Sequence, residues 1–220
     1  MFPVSDVIPS RTVPFVTVGL IIVNAIVFLY QITLGPAELR AFMASYAVVP
    51  AWFWLPSLVT SQFLHAGWMH IIWNMVYLWI FGDNVEDRLG HAGYLVFYLG
   101  AGAAAGLLQV LFNPFSGIPM VGASGAIAGV MGAYFVLYPQ SRVLTAIFIL
   151  FFFDLVEIPA VFFLGIWFLM QLLSGVGSLG VSNAAGGGTA FWAHVGGFVV
   201  GAAIGLAMRA RDRRRWGHYS

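Results

Sequence analysis

The chain has 220 residues, of which 61% are hydrophobic and 8% are charged, and its net charge is +1. An average soluble domain is roughly 45–50% apolar and roughly 25% charged, so this composition predicts an integral membrane protein. The absence of cysteine excludes disulfides, thiolate metal sites and a cysteine nucleophile. Apolar segments are spread along the whole chain, so we expect residues 1–220 to form one membrane-embedded domain.

Six apolar segments are long enough to cross a hydrocarbon layer of about 30 Å, which takes about 20 helical residues. In chain order they cover residues 12–34, 62–81, 92–112, 121–138, 158–175 and 190–208. Segment 143–153 is apolar but too short to cross, so we expect it to pack at the membrane face, with Pro159 opening the fifth span. The predicted fold class is an all-α membrane protein with six transmembrane helices in a single bundle.

The arginines predict how this bundle is oriented, because arginines near span ends stay on the cytoplasmic side. With six spans and both termini cytoplasmic, Arg11, Arg88, Arg142 and the five arginines of the basic tail 209–220 lie inside. Arg40 alone lies outside. We therefore interpret the tail as a cytoplasmic anchor and not as a nucleic-acid site.

Several polar side chains are predicted to share one depth near the outer face. Ser124 and His194 each lie a few residues inside a span that starts there, and polar groups at membrane depth point to function. His70 and Asn74 are four residues apart on the second span and differ by about 40° around the helix. His65 lies about 140° from His70 on the same helical wheel, so we expect it to point elsewhere.

Small residues predict that the fourth and sixth spans pack closely. His194 begins a stripe that continues through Gly197, Gly201 and Gly205, and Ser124 begins one that continues through Ala128 and Gly132. Facing stripes of this kind let membrane helices approach each other, which would bring Ser124 to His194. The Gly-rich loop 176–189 beside them is predicted to be mobile.

Other interpretations of the same residues remain open. A serine in a membrane helix also bonds to the carbonyl one turn earlier, and histidine or asparagine also joins helices. A transporter lined by the histidines is an alternative, although it would lack the paired acidic residues common in such pathways. A metal site is disfavoured because His65 and His70 diverge and no carboxylate lies near them. A hydroxyl, an imidazole and a free amide at one depth favour nucleophilic catalysis.

Three separated motifs carry a family resemblance. The segments HAGWMHIIWN (65–74), GASG (122–125) and AHVGGFVVG (193–201) resemble the signatures of the rhomboid intramembrane serine proteases, in the family's order. Segment VEDRLG (85–90) is similar to the family's Glu-x-Arg turn, and the resemblance covers about residues 60–205. It implies a serine endopeptidase that needs no cofactor or metal and cleaves single-span membrane proteins near the outer face of the bilayer.

The resemblance also implies a role for each matching residue. Ser124 is the nucleophile, His194 is the general base, and the oxyanion hole consists of His70, Asn74 and the Ser124 N–H. His65 would be structural and stabilise the first outer loop, and Glu86 and Arg88 would pair to hold the turn after the second span. The motif glycines would give structural support: Gly122, Gly125, Gly197 and Gly201. Substrates are expected to enter past the fifth span.

The chain departs from the family pattern at two places. The first outer loop of the family often carries a Trp-Arg pair, where this chain has Pro56 and Ser57. An aromatic residue often lies beneath the histidine, where this chain has Ala128, so another contact must orient the imidazole. Catalytically silent relatives that bind membrane helices usually lose the serine or the histidine, and this chain keeps both. The short ends suggest a bacterial or archaeal form in the plasma membrane.

Overall fold

The structure, a computed structural model, describes residues 2–149, 152–178 and 190–216. Six long helices form a bundle, and short helices and a small sheet lie at its two ends. In chain order the elements are β1 (Phe2–Asp6), α1 (Phe15–Thr33), α2 (Pro36–Tyr46), α3 (Ser57–Thr60), α4 (Trp68–Leu89), α5 (His91–Phe112), α6 (Ser124–Leu137), β2 (Arg142–Ile149), β3 (Phe152–Pro159), α7 (Ala160–Ser178) and α8 (Phe191–Trp216). We call the end where α4, α6 and α8 begin the serine end, and the opposite end the arginine end.

Each of the six predicted segments overlaps one long helix among the described residues, although α4, α7 and α8 extend beyond the predicted ends. Among the residues described, α1, α5, α7 and α8 are long and apolar enough to cross a membrane. Helix α4 has 22 residues but carries charged side chains in its last two turns, and α6 has only 14 residues. Helix α4 begins at Trp68 rather than near residue 62, because α3 and a short 3-10 helix, Ser61–Phe63, occupy the preceding segment. The count of six membrane spans stays a prediction.

The prediction of an all-α protein is wrong at the arginine end. Strands β2 and β3 form an antiparallel hairpin, and β1 pairs with β2 to make a three-stranded sheet in the order β1-β2-β3. The described residues of the apolar segment 143–153, which we expected to be a connection packed at the membrane face, therefore belong to β2 and β3. Hydropathy alone does not separate a short apolar strand from a helix, but the β-branched residues of this segment favour a strand. Pro159 ends β3, and α7 begins one residue later.

Helix α6 lies at the centre of the bundle and packs against α8 through glycines. A Cβ atom on Gly197 or Gly201 would overlap the carbonyl oxygen of Gly125 or Gly129, and one on Gly132 would overlap that of Phe198. The predicted stripe on α8 is therefore correct. On α6 the contact face includes Gly125 and Gly129 in addition to the predicted Gly132, so the stripe is shifted by one residue from Ser124 and Ala128.

The predicted ion pair between Glu86 and Arg88 is wrong. The buried carboxylate of Glu86 accepts hydrogen bonds from the N–H groups of Val16 and Thr17, at 2.9 and 2.8 Å, and from the Thr17 hydroxyl at 2.7 Å. It thereby caps the free amides at the start of α1. Arg88 instead pairs with Asp212 of α8. Residues two apart on a helix point to nearly opposite sides, which explains why these two do not meet.

The basic tail is not a separate segment up to residue 216. Residues 209–216 continue α8, and the guanidinium of Arg209 donates to the carbonyl oxygen of Val136 at 3.1 Å. Together with the contact between Asp212 and Arg88, this bond attaches the end of α8 to α4 and α6. Residues 217–220 of the predicted tail lie outside the described residues.

Candidate active site

Ser124 and His194 meet at the serine end of the bundle. Ser124 is the first residue of α6, His194 lies in the first turn of α8, and the Ser124 Oγ is 2.8 Å from the His194 Nε2. The glycine contacts between α6 and α8 allow this approach because neither backbone is held away by a side chain. The serine hydroxyl therefore bonds to an imidazole and not to a carbonyl of its own helix.

The backbone around Ser124 presents a free donor. Because Ser124 opens α6, its N–H has no acceptor in the hydrogen-bond network of the described residues. Gly122 has a φ of +121°, and a Cβ there would lie 2.7 Å from the Cε1 and Nε2 atoms of His70. Gly122 thus allows both the unusual backbone conformation and the close approach of the His70 ring to the turn that precedes Ser124.

His70 lies beside Gly122 and lines the cavity at this site, and Asn74 follows it by one turn on α4. The Ala66 N–H donates to the Nδ1 of His70 at 3.4 Å, which leaves the proton of a neutral ring on Nε2, the atom next to Gly122. The Asn74 amide donates one N–H to the His70 carbonyl at 2.7 Å and keeps its second N–H. Each of these two side chains therefore retains a donor, and that of His70 lies next to Gly122.

A cavity of about 460 Å³ opens at the serine end and contains the Ser124–His194 pair on its wall. Its lining includes His70, Gln109 and Trp192 as well as Ser124 and His194. The cavity is large enough for several water molecules, each of which takes about 30 Å³ in the liquid. The predicted mobility of loop 176–189 falls mainly on residues 179–189, which lie outside the described residues.

The helical wheel predicted that His65 points away from His70, and this prediction is wrong. It precedes α4, so the helical angle does not apply to it, and its buried ring makes an edge contact with the His70 ring at 5.1 Å between centroids. In the part of the chain that the structure describes, no three histidine or acidic side chains come together as a metal site would require.

Gln31 anchors the segment that precedes α4 and was missed in the sequence. Its side-chain amide donates to the His65 carbonyl and accepts from the His65 N–H, both at 3.0 Å. This two-bond contact ties the segment before α4 to α1, in a chain that lacks the Trp-Arg pair. The available signal was an amide near the end of the apolar run 12–34, where a buried polar side chain needs a partner.

A second missed residue lies on α7. The Oε1 atom of Gln171 is 2.8 Å from the Nδ1 atom of His194, and the ring of Trp167 lies 5.8 Å from the His194 ring between centroids. Gln171 is again a single amide in an apolar run, WFLMQLL. Both ring nitrogens of His194 therefore have a hydrogen-bond partner, one on α6 and the other on α7.

These features define a helical membrane protein in which a serine and a histidine from distant parts of the chain meet at a cavity. A model of the Rhomboid domain matches residues 52–211, and the chain belongs to the rhomboid family. The members of this family are typically intramembrane serine proteases.

Several relatives show the same similarity. The chain is 28% identical over 158 residues to Rhomboid protein 1, mitochondrial, of Saccharomyces cerevisiae, which is 68% of this chain and 40% of the relative. It is 40% identical over 76 residues to Rhomboid protease GluP of Bacillus subtilis, which is 34% of this chain and 14% of the relative.

 The chain is also 30% identical over 125 residues to Rhomboid-like protease 3 of Toxoplasma gondii, which is 56% of this chain and 47% of the relative.

The chain spans less than half the length of each of these relatives. The yeast relative is named as mitochondrial and GluP comes from a bacterium, while a further relative, Rhomboid-like protein 11 of Arabidopsis thaliana, is named as chloroplastic. The apolar helices and the family support an integral membrane protein. The plasma membrane of a bacterium or archaeon stays a prediction.

Proposed function

We propose that the chain is an intramembrane serine endopeptidase that cleaves transmembrane segments of membrane proteins near the outer face. The observation that carries this proposal is the distance of 2.8 Å between the Ser124 Oγ and the His194 Nε2, at the wall of a cavity, in a member of the rhomboid family. A hydroxyl within hydrogen-bond reach of an imidazole is the arrangement that activates a serine nucleophile.

The proposed reaction begins with proton transfer. The His194 Nε2 takes the hydroxyl proton while the Ser124 Oγ attacks the carbonyl carbon of the scissile peptide. The negative oxygen of the tetrahedral intermediate accepts hydrogen bonds from the Ser124 N–H, from the His70 Nε2–H and from the free N–H of Asn74. Donors that are oriented before the reaction are each worth about 10²–10³ in rate in such sites.

The intermediate then collapses and the peptide bond breaks. His194 gives its proton to the leaving amine, and Ser124 remains as an ester with the other half of the substrate. Water from the cavity attacks the ester, and His194 accepts and returns a proton in the same way. The two products are a new amine terminus and a new carboxyl terminus, and Ser124 is regenerated.

The proposed membrane placement rests on the positions of the arginines and helices. Six spans with both termini cytoplasmic put the arginine end inside and the cavity near the outer face. We extend the proposal to one domain over residues 1–220, with single-span membrane proteins as substrates. Nucleic acids and metal ions have no part in it. A substrate helix hides its peptide bonds in its own hydrogen bonds, so helix-weakening residues would be needed at the cleavage site.

A cleavage assay tests this proposal. Purified protein in liposomes is mixed with a labelled membrane-helix substrate and, separately, with a serine-directed phosphonate. We expect two substrate fragments, insensitivity to a chelator, and labelling of Ser124 alone among the serines when the protein is digested and analysed by mass spectrometry. Heat-denatured protein serves as the control and should not be labelled. Binding of the helix without cleavage would instead support a silent relative, and solute transport without cleavage would support a transporter.

Substrate entry is proposed to occur past α7. Four helices among the described residues are long and apolar enough to span a membrane. In α7 only 22% of the residues in the apolar stretch are buried, the smallest share of the four, against 50% in α8. Few contacts must therefore break for α7 to lean outward.

Cross-linking α7 to α4 tests this entry route. The chain has no native cysteine, so a pair introduced at facing positions near the serine end gives a single defined bridge. We expect the bridged protein to lose cleavage of the membrane substrate and to keep phosphonate labelling, because a small probe enters through the cavity. Each single-cysteine variant, treated with the same reagent, is the control. Undiminished cleavage by fully bridged protein would refute entry past α7.

A further inference from the structure

The second ring nitrogen of His194 contacts a residue outside the pair of serine and histidine. The Nδ1 of His194 lies 2.8 Å from the Oε1 of Gln171. A neutral imidazole has one N–H donor and one acceptor nitrogen, and an amide oxygen only accepts. The bond therefore requires the proton to be on Nδ1, which leaves the lone pair of Nε2 facing the Ser124 hydroxyl. This is the tautomer that a general base must have.

Among the described residues, this ring has neither a carboxylate partner nor an aromatic neighbour on α6. No carboxylate forms a hydrogen bond with His194 in the described part of the chain, where its two ring partners are Ser124 and Gln171. Ala128 offers no aromatic face from α6. The nearby aromatic ring belongs to Trp167, one turn before Gln171, at 5.8 Å and an interplanar angle of 38°. Helix α7 thus supplies both the hydrogen-bond acceptor and an aromatic neighbour.

We propose that Gln171 is a positioning residue that holds His194 in the tautomer and orientation needed for proton transfer from Ser124. This inference rests on the proposed function, because it concerns the base of the same reaction. A neutral amide suits the location, since burying a carboxylate beside His194 would carry a larger desolvation cost. The amide dipole still favours the imidazolium that forms when His194 accepts the serine proton.

Because Gln171 lies on α7, its bond to His194 depends on the position of that helix. If α7 leans away to admit a substrate, the Gln171 amide moves away from His194 and the tautomer is no longer held. Helix α7 returns to its place through contacts such as Gly175 with the Trp192 side chain of α8, where a Cβ would lie 3.3 Å away. His194 is therefore held with its proton on Nδ1 only when α7 is packed against α8. Substrate entry and peptide cleavage thus occur one after the other.

Substitutions at Gln171 test the proposal. Gln171→Leu removes the acceptor, Gln171→Asn keeps an amide that is one methylene too short, and Gln171→Glu keeps an acceptor of the same length. We expect kcat to fall about 10- to 100-fold in the Leu and Asn variants, as the loss of one buried hydrogen bond implies. KM should stay within about twofold, because substrate binding is untouched. The Glu variant should lose less rate than either of these, because it keeps an acceptor at the same distance from the His194 Nδ1, although it carries the desolvation cost of a carboxylate. Ser174→Ala, an exposed polar-to-apolar change one turn away, is the control.

A second measurement does not depend on activity. In protein with ¹⁵N-labelled histidine, the ring signals of His194, assigned with a His194→Ala variant, should show the Nδ1–H tautomer in the parent and a mixture of tautomers in the Leu variant. Unchanged tautomer signals in the folded Leu variant would overturn the inference, as would a kcat equal to that of the Ser174→Ala control. A parent that neither cleaves nor is labelled at Ser124 would count against the proposed function, while the ring signals would still decide the role of Gln171.

Discussion

Alanine at Ser124 or at His194 is expected to lower kcat by on the order of 10⁴–10⁶, as in other serine hydrolases whose nucleophile or base is removed. The physical reason is that neither residue acts alone: the hydroxyl is a weak nucleophile without the base, and the base has no proton to take without the hydroxyl. The two groups meet at 2.8 Å. The double variant should therefore be no slower than either single variant.

Cleavage of the labelled membrane helix by the three variants in liposomes measures this effect. Ser45→Ala is a matched control, because Ser45 is an exposed serine whose hydroxyl bonds to the Ala41 carbonyl of its own helix. It should cleave at the parental rate. Losses that multiply in the double variant, or a His194→Ala protein with most of the parental rate, would mean that the two residues do not work as a pair.

Gly201→Ala is expected to destabilise the protein by more than about 3 kcal/mol, beyond the usual cost of overpacking a core. A Cβ at this position would overlap the Gly129 carbonyl oxygen and would lie 2.9 Å from the Gly129 Cα. These are backbone atoms, which cannot rotate away as a side chain can. Helices α6 and α8 would have to separate, and that separation would also lengthen the distance between Ser124 and His194.

Thermal unfolding in detergent, followed by tryptophan fluorescence, measures the stability, and phosphonate labelling reports on the site. The control is Gly100→Ala on α5, where an added Cβ meets no atom within 4 Å. That change should leave the free energy of unfolding unchanged or raise it by about 0.5–1 kcal/mol, because alanine stabilises a helix more than glycine does. If Gly201→Ala unfolded at the parental temperature, the close backbone contact between α6 and α8 would be ruled out as a source of stability.

Local sequence patterns predicted much of the site. The motifs around His70, Ser124 and His194 pointed to residues that the structure brings to one end of the bundle. The glycine stripe on α8 also predicted its close contact with α6. Both predictions succeed because they depend on residue type and spacing within one helix, and a helix has the same spacing wherever it packs.

Predictions failed where a partner came from elsewhere in the chain. Glu86 caps α1, and Arg88 pairs with Asp212 of α8, although the motif suggested that they pair with each other. Gln31 and Gln171 looked like isolated polar residues in apolar runs, yet one anchors the segment at His65 and the other bonds to His194. No periodicity within a helix reveals which distant group faces a given side chain.

The amino-acid sequence by itself determined the membrane class and the approximate positions of the six long helices, and it singled out Ser124 and His194, because hydropathy, helix length and motif spacing are local properties. Only the tertiary structure decided that β2 and β3 form a hairpin, that α6 contacts α8 through Gly125 and Gly129, and that α7 bonds to His194. These features depend on which surfaces of distant segments meet, since a strand needs a pairing partner and a buried polar group needs a donor or acceptor.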